Sequence, residues 1–301
     1  MSTSRLKSPY NVNASPNQYA FSSDLVAVGH DVSTFQSFGQ QGTMDQLFYK
    51  VHSFTTVGTY NITFSKAGFV DVLVIAGGGS GGVGESSQAT GGGGGGAGGI
   101  VITYNVPVLA QTYSVIVGAG GASRSGASQT GVQGSNSSFN NIQAIGGGHG
   151  AGWTGIGGTG GSGGGNTGNT TVTNNATAGQ GNVGGTSVTW PAAGGGGAGS
   201  PGGNATSGAT SSASGDGGRG INIDFRGFPE YVCAGGSGGG TILGNITYPG
   251  GGVGGIALQA GGSATYFGSG GGGASNVRDS GAGFKGMVAI RYPLLNLNDT
   301  I

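Results

Sequence analysis

The sequence predicts a mainly β protein in which short strands flank a bundle of extended polyglycine-II helices, with no significant α-helix. Three observations carry this expectation. Of 301 residues 77 are glycine, and they fall in blocks. Charge is sparse, with 10 Lys plus Arg balanced by 10 Asp plus Glu. The apolar residues outside the blocks form short β-branched runs and not helical stripes. Because each helical glycine costs about 1 kcal/mol relative to alanine, this composition cannot build a helical bundle. Collagen is excluded too, since it needs glycine at every third position and abundant proline, whereas the chain has 8 prolines.

The elements follow in chain order. Residues 1–48 carry few regular apolar patterns, with turns marked by Pro9, Pro16 and Gly39-Gln40-Gln41-Gly42, and read as an N-terminal arm or attachment module. Strands begin at Phe48–Phe54. After a turn at Gly58, Tyr60–Phe64 alternates strictly, as a half-buried strand should. Phe69–Ala76 is a β-branched run suited to burial on both faces. Further strands are expected within 99–106 and over Thr112–Val117, and a last one over Gly286–Tyr292. The strands thus occupy 49–118 plus 285–293, a glycine-rich insert spans 77–284 and overlaps them at its start, and 294–301 form a tail.

The insert holds nine of the 20 charges, and its blocks, such as Gly91–Gly96, Gly194–Gly197 and Gly270–Gly273, are unevenly spaced, so no solenoid period is present. Runs of glycine can be ordered as left-handed extended helices with three residues per turn and a rise of about 3.1 Å. Such helices make no internal hydrogen bonds, so neighbours must satisfy their backbones. Without side chains the neighbours can come close enough to do so.

Several functions are disfavoured. Zero net charge gives no footprint for nucleic acid. The single cysteine, Cys233, can form neither an internal disulfide nor a thiolate metal set. No stretch of about 18 apolar residues suggests membrane insertion. The N-terminal residues lack an apolar signal-like run, so synthesis and assembly in a cytosol are expected. Ser80, Ser162 and Ser237 each centre a G-x-S-x-G pentapeptide, but none is followed by a convincing acid and histidine, and this composition generates such matches by chance. Gly179–Gly184 fits G-x-G-x-x-G without a preceding strand or following helix. His30, His52 and His149 stand apart from any carboxylate cluster. No enzyme activity, cofactor or metal is expected.

The candidate contact residues are the aromatics between glycine blocks: Trp153, Trp190, Phe225, Phe228, Tyr231, Tyr248 and Tyr266, with Phe267 beside them. Exposed tryptophan and tyrosine supply much of the energy at interfaces, although the same side chains can flank the bundle or pack on the strands. The polar segment 166–177, with Asn169 and Thr171, reads as an exposed loop able to hydrogen-bond to sugars.

Three stretches, Val51–Gly82, Tyr113–Gly150 and the closing Gly286-Met287-Val288-Ala289-Ile290-Arg291-Tyr292-Pro293, resemble the glycine-rich domain family, which occurs in phage and viral virion proteins and in receptor tyrosine kinase ectodomains. The resemblance implies a jelly-roll-like β-sandwich from which the polyglycine helices project. It implies a structural virion surface protein of the tail-fibre or receptor-binding adhesin type, made in the host cytoplasm. Residues 1–48 would join it to other virion proteins, it would form a homotrimer, and its partner would be a host surface glycan or outer-membrane protein. A capsid decoration or minor capsid protein of a large DNA virus is the alternative, followed by an extracellular matrix or filament protein.

Overall fold

The computed structural model describes residues 27–28, 31–37, 47–85, 90–153, 155–168, 170–172, 175–188, 190–206, 213–240 and 248–294, with the backbone course alone for 27–48 and 294. The described residues form strands and irregular backbone, and no helix. The strands are β1 Ala27–Val28, β2 Asp31–Ser37, β3 Leu47–Phe54, β4 Gly58–Phe64, β5 Gly68–Ile75, β6 Ile100–Val108, β7 Thr112–Val117, β8 Ser137–Phe139, β9 Ile142–Ala144, β10 Ile221–Ile223, β11 Glu230–Val232 and β12 Met287–Leu294.

Two five-stranded antiparallel sheets result, ordered β1-β4-β7-β8-β9 and β2-β3-β12-β5-β6, with β10 and β11 as a separate hairpin. Alternation sets the faces. In β7 Tyr113, Val115 and Val117 are buried while Thr112, Ser114 and Ile116 face out. The inward residues of both sheets, including Phe54, Ile62, Phe64, Val72, Val74, Phe139 and Ile290, form one apolar core, so the sheets make a sandwich. The opposite face of the second sheet is buried as well. Leu73, Ile75, Met287 and Ala289 lie under Val232, Phe225 and Ile221 of the hairpin region, which explains why β5 and β12 are apolar on both sides. The segment 1–48 supplies β1 and β2, so the sheets extend into it, and the insert contributes β8 to β11.

The glycine insert follows a hydrogen-bond rule with a period of three. Along Gly77–Val83, Gly77, Ser80 and Val83 donate to the carbonyls of Ser135, Val132 and Gln129; Gly78 and Gly81 to Phe284 and Gly281; Gly79 and Gly82 to Gly96 and Gly93. The return segment repeats it. Gly91, Gly94 and Ala97 donate to Trp190, Ala193 and Gly196; Gly92, Gly95 and Gly98 to Ala274, Gly271 and Gly268; Gly93, Gly96 and Gly99 to Ala151, Gly148 and Ile145. Its carbonyls accept from three more segments, through Gly79 and Gly82, Ser162 and Gly165, and Gly236 and Gly239. These central extended segments therefore turn once every three residues and bond to six neighbours, the geometry of packed polyglycine II.

This packing explains why glycines come in unbroken runs. A Cβ on Gly93 would stand 2.0 Å from the carbonyl oxygen of Gly165, on Gly94 2.0 Å from that of Gly236, and on Gly95 2.2 Å from that of Gly79. Three successive residues thus face three different backbones, and none of these three positions admits a side chain. At the rim the demand relaxes to every third position: in Gln129–Ser135 only Gly131 and Gly134 face the bundle.

The same register defines two ends. Ala76, Gly99, Ile145 and Gly286 adjoin β5, β6, β9 and β12, which sets the near end against the sandwich. Gly91 is bonded to Trp190 and Gly93 to Ala151, so the turns that follow Ala151 and precede Pro191 lie with Gly84 and Thr90 at the far end.

Candidate partner-binding surfaces

At the far end three turns are tied together by hydrogen bonds. The Thr167 amide donates to the carbonyl of Gly155 (3.1 Å) and the Thr167 hydroxyl to that of Gly152. The Asn166 side chain accepts from the Gly157 amide (2.9 Å) and donates to the Val172 carbonyl. Thr170 and Ser187 exchange backbone bonds, and the Ser187 hydroxyl closes the next turn on the Pro191 carbonyl at 2.7 Å. On this frame the rings of Trp153 and Trp190 lie parallel, 5.1 Å between centroids and 9° apart, with Trp190 54% exposed. Ile156, Val172 and Val188 are exposed on the same turns, and so is Thr171. Residues 125–215 contain no Asp, Glu, Lys or Arg, so the tryptophan-bearing turns carry no side-chain carboxylate, ammonium or guanidinium. Such an apolar, aromatic patch on rigid supports has the composition of an interface core.

The other aromatics sit at the near end, around the β10–β11 hairpin. Phe225 is buried under the Arg291 guanidinium, 4.3 Å from its ring centroid; Arg291 also bonds to Asp71 at 3.2 Å and lies 4.8 Å from the Tyr49 ring. Phe225 therefore fastens the hairpin turn to the sandwich. Phe228 is exposed with Arg226 over its ring, and Arg226 forms a two-bond pair with Glu230, Nε to Oε1 being 2.6 Å. Arg219 stacks on Tyr248 at 5.1 Å and donates to its hydroxyl at 2.9 Å, which pushes the guanidinium further toward its charged form. Tyr231 and Tyr266 face a cleft of about 580 Å³, shared with Asn222, Thr265, Phe267 and Phe284. The nine candidate positions thus divide: Trp153, Trp190 and Thr171 at one end, Phe225, Phe228, Tyr231, Tyr248 and Tyr266 at the other, while Asn169 lies outside the described residues. Asn222, Thr265 and Phe284 escaped sequence reasoning, being separated in the chain and part of no motif.

The remaining motif residues are built into the scaffold. The hydroxyls of Ser80, Ser162 and Ser237 are buried and accept from the amides of Val132 (2.8 Å), Asn182 (3.3 Å) and Gly217 (3.3 Å). They bond to neighbouring glycine segments where a side chain interrupts the blocks. Gln180, inside the Gly179–Gly184 string, accepts from the Ile145 amide at 2.8 Å and locks that segment to the end of β9. His52 is buried in the sandwich core, 3.4 Å from the Tyr292 hydroxyl; His149 faces the Gly150 carbonyl; His30 lies outside the described residues. Among the described residues no cluster of three or more His, Cys, Asp or Glu could hold a metal ion. Cys233 is wholly buried where β11 enters the bundle, and burial pushes its thiol pKa far above the ordinary range.

A family model described as a glycine-rich domain matches residues 55–293. No curated protein matches the chain.

Proposed function

The chain belongs to the glycine-rich domain family, and from that premise we propose that it is a structural virion surface protein of the phage tail-fibre or receptor-binding adhesin type. The observation that carries the reading is the far end of the bundle. A block crossed in every direction by backbone hydrogen bonds holds turns that carry no charged side chain and bear the stacked Trp153–Trp190 pair. Rigidity matters because a contact residue fixed in advance loses little entropy on binding. A backbone so enclosed also offers few openings to proteases. In this reading the N-terminal region to residue 48 joins the subunit to other virion proteins, the subunit is a homotrimer, and the partner is an exposed molecule of the host surface.

Labelling purified particles with gold-conjugated antibody to this chain is expected to mark the tip of a tail fibre. Label spread over the capsid lattice would instead make the chain a decoration protein, and absence from particles would sink the virion reading. For the contact surface, Trp190→Ala should lower adsorption of particles to host cells at least tenfold without moving the melting temperature. Unchanged adsorption would remove the tryptophan pair from the interface.

A further inference from the structure

We infer that the cleft beside the β10–β11 hairpin binds a short neutral oligosaccharide. It lies at the near end of the bundle, remote from the Trp153–Trp190 pair, and the inference stands independently of the virion reading. Its volume, about 580 Å³, is that of a small-molecule site and not of a packing gap. Its walls are aromatic. Tyr231 and Tyr266 contribute rings, and Phe267 and Phe284 meet edge to face, 5.8 Å between centroids and 63° apart. A sugar ring presents polarised C–H groups on one face, and these lie well against the negative face of an aromatic ring.

The hydroxyls at the edge of a sugar need both donors and acceptors, since a polar group that loses water on binding must be paired again. Asn222 offers an amide that does both, and the hydroxyls of Thr265 and Tyr266 do likewise. Asn222 and Thr265 are exposed, Tyr266 is 44% exposed, and none of the three side chains hydrogen-bonds within the described residues. These polar groups therefore remain open to a ligand on an aromatic wall. The charged side chain that lines the cleft, Glu230, has both carboxylate oxygens bonded to Arg226, and Arg219 nearby is bonded to Tyr248. The one charged residue that lines the cleft is thus already paired, which favours a neutral sugar.

The test is a printed array of neutral hexose-, N-acetylhexosamine- and sialic-acid-terminated oligosaccharides probed with the full chain, followed by titration of the best ligand. Neutral glycans should bind, and Tyr266→Ala and Asn222→Ala should each weaken binding at least tenfold, with Leu109→Ala on the sandwich surface unchanged. Tyr266→Phe keeps the ring against Gly250 and guards against a folding artefact; it should lose part of the affinity and none of the melting temperature. Absence of binding to any glycan, binding to sialylated glycans alone, binding left intact by Tyr266→Ala and Asn222→Ala, or capture of a peptide in preference to sugar would each overturn the assignment.

Discussion

The sandwich and the glycine bundle are two solutions to the same problem in one chain. In the sandwich Phe54, Phe64, Phe139 and Ile290 bury large side chains between sheets, and the hydrophobic effect holds the layers. In the bundle few side chains are present to bury, and the central segments are held by amides and carbonyls that reach six neighbours. The difference lies in tolerance. An apolar core forgives changes of shape if its volume is kept. At its glycine positions a packed block forgives no added atom, because what a Cβ would meet there is backbone.

The largest expected effect tests that contrast directly. Gly94→Ala places a methyl 2.0 Å from the Gly236 carbonyl oxygen in the middle of the bundle and should cost more than about 4 kcal/mol, enough to abolish the cooperative thermal transition. The control is Gly179→Ala, where nothing lies within 4 Å and only the φ of +76° is strained; there about 1–2 kcal/mol is expected. Equal losses at both sites would break the packing account. Next comes Phe139→Ala in the sandwich, which should cost about 3–5 kcal/mol by leaving a cavity while keeping a single sharp transition in denaturant.

A subtler difference concerns heat capacity. Exposing apolar surface raises the heat capacity of unfolding and exposing peptide groups lowers it, so calorimetry should give a value per residue below the usual ~12–15 cal/mol/K. A value at or above that range would mean that the bundle buries far more apolar surface than its composition supplies. The smallest effect belongs to Cys233. Its folded-state pKa is raised above the unfolded value, so its contribution to stability is intact below about pH 8.5 and declines as pH rises past that point, where only the unfolded chain ionises. Stability measured from pH 7 to 10 should show this decline, and Cys233→Ala should remove it. Rapid alkylation of the native protein at pH 8 would contradict the burial.

Much of the scaffold was legible in the sequence. Strict alternation in β4 and the doubly apolar run of β5 announced their strands, because period and burial are coupled wherever a sheet has a wet face and a dry one. The three-residue strands β8 to β11 were not, being too short to show a period amid glycine, and β2, with the sequence Asp31-Val32-Ser33-Thr34-Phe35-Gln36-Ser37, has too few apolar residues to display one. For the candidate surfaces the sequence picked out the aromatics but not their grouping. Trp153 and Trp190 are 37 positions apart and meet at one end, whereas Tyr231 and Tyr266, at a similar spacing, meet at the other.

The sequence by itself determined the local conformations. Glycine runs flanked by β-branched strands admit neither helix nor collagen, and a run without side chains leaves the extended threefold helix as the ordered form. Only the tertiary structure decided which segments are neighbours, how each is registered against the others, and which turns share an end. The physical reason is that a polyglycine-II helix makes none of its hydrogen bonds to itself, so nothing within one segment records its place in the bundle.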